Sequence, residues 1–317
     1  QSMQRPSRVV LLDKGLPLTQ KALQSAAGQR MSKLPTIGAL WIGGSLTWLE
    51  QLCLKSFVEH GHEVLLFTYG DVKNVPNGVK TCDGRDIVAT DNFVLHSRSQ
   101  SVALFSDLFR FHMIKAKPDI IYIDTDVFCL KPLDFEDPFI FGYEKYRNPQ
   151  AWRINGAILR LPPDSLILRE MLDFMEDEYP QPAWIALRFQ AEMKARAAAG
   201  DPMHVGELPW GVWGPLGISA FARQTGEYTH AKALDVLYPV PFSERRVLFR
   251  RPAKTTQYLT EDSHSIHMWA PIKKFSASHM DGLCPPYSYI GQQLTKYGID
   301  PTKAPVPQTQ RREVTFD

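Results

Sequence analysis

Ile120-Ile121-Tyr122-Ile123-Asp124-Thr125-Asp126-Val127 is the stretch on which the reading of this chain turns. Four apolar, strand-favouring residues run into two carboxylates spaced i, i+2. Side chains alternate along a strand, so Asp124 and Asp126 are expected to project to one side. Two like charges that close repel unless a cation or a proton sits between them. A hard divalent ion such as Mg²⁺ or Mn²⁺ suits oxygen ligands and keeps positions open for phosphates. The stretch therefore predicts a buried strand ending at a metal–diphosphate site. The plainer alternative is a strand that runs by chance into a solvated turn.

Upstream, Ile37–Ile42 reads as a first strand, with Gly43-Gly44-Ser45 as a tight turn into a helix. Thr47-Trp48-Leu49-Glu50 fits a capping box, Leu49, Leu52, Cys53 and Phe57 follow at helical spacing, and Gly61 is a stop. Glu63–Tyr69 is a second strand. This strand–helix–strand opening predicts an α/β fold that begins with a nucleotide-binding unit, although a G-x-G-x-x-G fingerprint is missing. Val102–Ala116 reads as a helix leading into the Asp-x-Asp strand. Phe139–Tyr143, Ile154–Arg160 and Ser265–Met268 read as strands, and Asp164–Glu178 and 188–199 as helices. Trp210-Gly211-Val212-Trp213-Gly214-Pro215 reads as a rigid aromatic loop, with Pro215 opening a helix. Residues 1–34 are expected to be an N-terminal extension, with a short helix over 18–30 as the alternative. Residues 35–290 then form a single catalytic domain and 291–317 a C-terminal tail, disordered from Pro301.

With 317 residues the chain can bury a large core, and its 44% hydrophobic content is ordinary for a globular protein. A net charge of +2 gives no field for nucleic acid. Cys53, Cys82, Cys129 and Cys284 are scattered without a C-x-x-C pair, which points away from zinc and disulfides. No apolar run reaches the roughly 18–20 residues that cross a bilayer, and the N-terminus lacks a signal-peptide apolar region. The expected location is cytoplasmic.

Four features join the Asp-x-Asp. Asp107 and Arg110 in Ser106-Asp107-Leu108-Phe109-Arg110 share a helix face; one can accept from sugar hydroxyls and the other can fork onto a phosphate. Their apolar neighbours favour a buried pair over a surface one. Trp41 ends the first strand, where ligands sit in open α/β sheets, and could stack on a base or belong to the core. Asn155-Gly156 reads as a turn or as a contact to a sugar. His267, in His264-Ser265-Ile266-His267-Met268-Trp269, is a candidate third metal ligand, with His264 its competitor.

Taken in order, Leu40-Trp41-Ile42, Ser106-Asp107-x-x-Arg110, Tyr122-Ile123-Asp124-Thr125-Asp126-Val127, Asn155-Gly156, Gly214-Pro215 and His267-Met268-Trp269 resemble the glycosyltransferases with a sugar-binding region containing the DXD motif. That group includes initiating mannosyltransferases, α-1,4-galactosyltransferases and bacterial capsule or lipopolysaccharide enzymes. The resemblance covers roughly residues 36–272. It departs where the family often carries Gly-Gly before the motif strand and this chain has Lys117-Pro118.

The resemblance implies a GT-A fold, a Rossmann-like mixed sheet flanked by helices, and retaining, metal-dependent transfer from a UDP- or GDP-sugar to a glycan or glycolipid, as in polysaccharide biosynthesis. By motif position, Asp124 and Asp126 hold Mn²⁺ or Mg²⁺ on the diphosphate, with His267 as a further ligand. Trp41 stacks near the base, Asp107 and Arg110 hold the ribose or sugar end of the donor, Asn155 touches the sugar, and Trp269 lies in the same cleft.

Two rival readings are open. In a haloacid-dehalogenase-like phosphatase Asp124 would be the nucleophile and Asp126 the acid/base, but a whole strand–helix–strand unit precedes the motif here. A nucleotide-sugar-binding protein without turnover would not require the intact carboxylates. The basic stretch 245–254, with Arg245, Arg246, Arg250, Arg251 and Lys254, reads as a solvated face or as a peripheral contact with the inner face of a membrane or an anionic acceptor.

Overall fold

In the computed structural model the apolar stretch Ile120–Ile123 is buried at all four positions. The structure describes residues 33–90, 92–144 and 152–308. The first half runs β1 (Thr36–Trp41), α1 (Trp48–Glu59), β2 (Val64–Thr68), β3 (Val79–Asp83), α2 (Ala103–Ala116), β4 (Ile120–Ile123), β5 (Val127–Cys129), β6 (Ile140–Glu144) and β7 (Arg153–Arg160). Six strands make one mixed sheet in the order β3-β2-β1-β4-β7-β6. The first four are parallel, β7 runs antiparallel to β4, and β6 runs antiparallel to β7 and so in the direction of the first four. A central strand between parallel and antiparallel neighbours is covered on both faces, which is why β4 is continuously apolar.

Alternation along β4 serves two cores. Ile120 and Tyr122 pack with Leu40, Phe105, Phe109 and Met113 on the α2 side. Ile121 and Ile123 pack with Ile37, Ala39, Leu54 and Phe57 on the α1 side. Glu50 caps α1 as its spacing predicts: its Oε2 accepts from the Thr47 backbone N–H at 2.8 Å and from Thr47 Oγ1 at 2.5 Å.

The second half adds α3 (Leu166–Met175), α4 (Leu187–Ala198), α5 (Pro215–Thr225), α6 (Leu234–Leu237), α7 (Pro252–Thr256), β8 (Ser265–His267), α8 (Pro271–His279) and α9 (Tyr289–Lys296). Helix α5 packs on β7 and α3, and β8 pairs antiparallel with β5 as a separate two-stranded ribbon. The chain from Leu34 onward forms one compact α/β unit. Among the described residues no helix is long and apolar enough to cross a membrane, and all four cysteines are free.

Three expectations need correction. Strand pairing stops at Ile123, so Asp124–Asp126 form a turn, closed by the Val127 N–H donating to the Asp124 carbonyl at 3.1 Å. Strand alternation therefore is not what brings the two carboxylates together. Asn155-Gly156 lies inside β7 rather than in a turn. The proposed tail begins within α9, and it stays packed at least to residue 308: Leu294, Ala304 and Val306 are buried, Ala304 accepts from the Trp48 N–H and Val306 donates to the Gly282 carbonyl. The expected helix at 18–30 lies outside the described residues.

Candidate active site

Helix α2 presents Asp107 and Arg110 one turn apart on its inward face, and both are buried. The Arg110 Nη1 donates to Asp107 Oδ1 at 2.9 Å and the Nη2 to Asp124 Oδ1 at 2.8 Å. Its guanidinium lies 4.6 Å from the Tyr122 ring centroid, and the Tyr122 hydroxyl donates to the same Asp124 oxygen at 3.1 Å. Burial works against the Arg110 charge, but Asp124, Tyr122 and Asp107 outweigh it and hold the guanidinium above its ordinary value. Burial pushes the Asp107 carboxyl up to about 7 against the pull of Arg110. One guanidinium thus serves two carboxylates, and the fork expected to meet a phosphate is already engaged with Asp107 and Asp124.

Two glycines make this possible. A Cβ at Gly156 would fall 2.4 Å from Arg110 Nη1, and one at Gly214 would fall 2.7 Å from Asp107 Oδ2. The Gly214-Pro215 and Asn155-Gly156 pairs singled out in the sequence are the places where the backbone comes up against the α2 pair.

The late histidine arrives through the ribbon. Val127 on β5 pairs with His267 on β8, and the Met268 N–H donates to the Asp126 carbonyl. This register sets His267 Nε2 at 3.2 Å from Asp126 Oδ1, and the Ala270 N–H donates to Asp126 Oδ2 at 2.5 Å. Burial raises the Asp126 carboxyl, but His267, Ala270 and Lys273 outweigh it and hold it below the ordinary range. Burial likewise opposes charge on the imidazole, and Asp126, Asp124 and Glu144 together hold it above its ordinary value. Ligand atoms of Asp124, Asp126 and His267 lie within 4.8 Å of one another and could hold a metal ion. His264 is elsewhere: its Nδ1 is 2.8 Å from the Pro132 carbonyl and its ring packs on Phe135.

Trp269 stacks on His267 with centroids 3.8 Å apart, has a left-handed φ of 64°, and donates from Nε1 to the Val240 carbonyl at 3.2 Å. Trp41 lines the same cavity, and its buried Nε1 has no partner among the described residues. Asn155 is held at both ends of its amide: Oδ1 accepts from the Ala157 N–H at 2.7 Å, so Nδ2 is the end that donates to Glu144 at 2.9 Å. The Ala157 carbonyl in turn accepts from the Asp124 N–H at 2.8 Å. Strand β7 therefore ties the Asp-x-Asp turn to Glu144.

Three residues of the site escaped the sequence reading. Lys273, in α8, pairs with Glu50 at 2.6 Å and sits 5.3 Å from the Trp41 ring. Glu144 is buried, and that burial pushes its carboxyl up. A lone Lys or Glu carries no spacing signal; the position of Glu50 at the third residue of a capped helix was read as structural, and it is that as well.

All of these residues line one cavity of about 1110 Å³. Its carboxylates, Glu50, Asp107, Asp124, Asp126, Glu144 and Glu244, outnumber its cations, Arg110, Arg245 and Lys273. Among these groups Glu244 is exposed, burial pushes Asp107 and Glu144 toward their neutral forms, and Asp124 and Asp126 face the His267 imidazole. Two carboxylates and an imidazole, beside an orphaned buried His267 Nδ1, are a donor set that fits Mn²⁺ or Mg²⁺.

No family model matches the chain, and no curated protein matches it. Among solved structures it is similar to one described as PaToxG glycosyltransferase, at 12% identity and a TM-score of 0.38, over 65% of this chain and 75% of that one. It is also similar to a transferase double mutant at 12% identity and a TM-score of 0.32, over 54% of this chain and 88% of that one. The functional reading rests on the site itself.

Proposed function

We propose that this protein is a metal-dependent, retaining glycosyltransferase that moves a sugar from a UDP- or GDP-sugar to a glycan or glycolipid hydroxyl. The observation that carries this reading is the convergence of Asp124, Asp126 and His267 on a cavity also lined by Trp41, Asp107, Arg110 and Lys273. Asp124, Asp126 and His267 would hold a divalent cation, which would supply Lewis-acid stabilisation for a departing nucleotide diphosphate.

The chain's own residues do the rest. Trp41 offers its ring to the base. Lys273, steadied by Glu50, brings a positive charge to the diphosphate side. Asp107 and Asn155 accept from and donate to the hydroxyls of the donor, and Trp269 keeps the imidazole in place and water out. Arg110 acts chiefly by fixing Asp124, so its contribution to rate is positional. We assign no protein nucleophile; the proton of the acceptor hydroxyl passes to the leaving phosphate as the new glycosidic bond forms.

A phosphatase with Asp124 as nucleophile is disfavoured, because Asp124 Oδ1 already accepts from both Arg110 and Tyr122. We further read the chain as cytoplasmic, with 245–254 meeting an anionic surface. In support, Arg246, Arg250, Arg251 and Lys254 are exposed and have no ion-pair partner among the described residues.

The test is a panel of UDP- and GDP-sugars with Mn²⁺, scored for donor hydrolysis, beside a generic phosphomonoester. Hydrolysis of at least one donor, and of no phosphomonoester, is expected. Phosphomonoester hydrolysis alone would move the protein to the phosphatase class.

A further inference from the structure

At about 1110 Å³ the cavity exceeds the roughly 300–1,000 Å³ of a pocket for one small ligand, so it has room for a second substrate. Its mouth carries an anomaly. Large apolar side chains exposed on the described surface are Leu166, Tyr179, Leu187, Trp210, Phe242 and Tyr287, and of these Trp210 and Phe242 line the cavity.

Trp210 is 62% exposed, and no described residue takes a hydrogen bond from its indole. Yet it does not stand on a loose loop. Val212 donates to the Pro209 carbonyl, and Gly214 and Leu216 both donate to the Gly211 carbonyl. Gly211 adopts φ 81°, which few other residues would accept. Trp213, three residues on, is buried in the core, and Gly214 abuts the Asp107 carboxylate. The loop is pinned at one end to the α2 pair and leaves the Trp210 side chain exposed in the cavity lining at the other. Phe242 is also held: the Arg245 guanidinium lies 3.9 Å from its centroid and Trp269 meets it edge-on at 5.4 Å. Exposed aromatics fixed by their surroundings gain nothing for folding and are suited to binding.

We propose that Trp210 and Phe242 form the acceptor subsite and that its occupant is a pyranose ring of a glycan. A pyranose turns C–H groups to one flat face and hydroxyls to its edge. The C–H face rests on the electron-rich face of an aromatic ring, and the hydroxyls need donors and acceptors beside it. Ser243, Glu244 and Arg245 stand at the same mouth. A lipid tail would need no hydrogen-bonding groups, whereas Ser243, Glu244 and Arg245 follow Phe242 directly in the cavity lining. The proposal rests on the transfer reading above and narrows its acceptor to a carbohydrate.

Two readouts separate the failure of one from the failure of the other. Binding of methyl glycosides and disaccharides of glucose, galactose, mannose and N-acetylglucosamine is followed by saturation-transfer NMR in EDTA, without donor. At least one saccharide should bind the full chain. Trp210→Ala should weaken it about tenfold or more, and Trp210→Tyr should recover most of the loss. With a hydrolysable donor and Mn²⁺, the ratio of transfer to hydrolysis should fall about tenfold in Trp210→Ala. Circular dichroism confirms that the variants fold. No binding by any saccharide, equal binding by wild type and Trp210→Ala, or an unchanged transfer-to-hydrolysis ratio overturns the proposal. Saccharide binding without donor hydrolysis keeps the subsite and removes the transfer reading.

Discussion

Gly156 has no side chain because Arg110 occupies the space one would fill. Gly156→Ala should push the guanidinium off Asp124, and a misplacement of about 1 Å near reacting groups costs on the order of 10² in rate. Asp124 is also a proposed metal ligand, so donor hydrolysis and Mn²⁺ affinity measured by calorimetry should both fall. Arg110→Lys keeps the charge but cannot serve Asp107 and Asp124 from two nitrogens at once, and should lose activity comparably. Full activity in both variants would show that the α2 pair does not set the site. At this scale the sequence was most legible where residue type alone implies chemistry: two close carboxylates, an Asp–Arg pair among aromatics, a late His beside a Trp. It was blind to Glu144 and Lys273, whose meaning comes from partners 11 and 223 residues away.

Among elements, the ribbon of β5 and β8 is what completes the site, since it carries His267 across the sequence to Asp126. Strand β5 was not foreseen, because it starts directly after the Asp-x-Asp turn, whereas the equally short β8 was read as part of Ser265–Met268. The larger strands were legible because β1, β2 and β4 are continuous apolar runs between turn residues. The same sheet side holds a pH-sensitive tie. His62 Nδ1 is 2.7 Å from the Pro35 carbonyl and its Nε2 accepts from the Leu133 N–H at 3.0 Å, so the ring is held neutral. Burial, foremost, depresses its pKa. The unfolded chain then binds the proton more readily, so the stability His62 contributes is present above about pH 6.5 and is lost as pH falls below it. Thermal melts of wild type between pH 8 and pH 5 should show this decline. His62→Gln should start less stable at pH 8 and decline less steeply; parallel slopes would remove His62 as the cause.

For the whole molecule, the C-terminal segment closes the fold. Trp48 donates from its backbone to Ala304 and from Nε1 to Gly282, and Val306 packs with Trp48 and Ile290 in one core. Its Pro, Thr and Arg content suggested disorder, because composition does not register that a few apolar residues are buried. Truncation after Asp300 should lower stability by about 2 kcal/mol or more from loss of Val306 burial alone, measured by urea denaturation. An unchanged midpoint would mean that the segment is dispensable.

The proposed chemistry depends on one ion. The most direct measurement is Mn²⁺ binding by calorimetry together with donor hydrolysis, on wild type, Asp126→Asn, His267→Ala and His264→Ala. Wild type should bind one Mn²⁺, lose hydrolysis in EDTA and regain it on adding the ion. Asp126→Asn should lower the rate on the order of 10²–10³, His267→Ala should weaken Mn²⁺ binding and erase any preference over Mg²⁺, and His264→Ala should stay near wild type. Hydrolysis that is indifferent to EDTA, or near-native turnover in Asp126→Asn, would contradict the metal site and the function built on it.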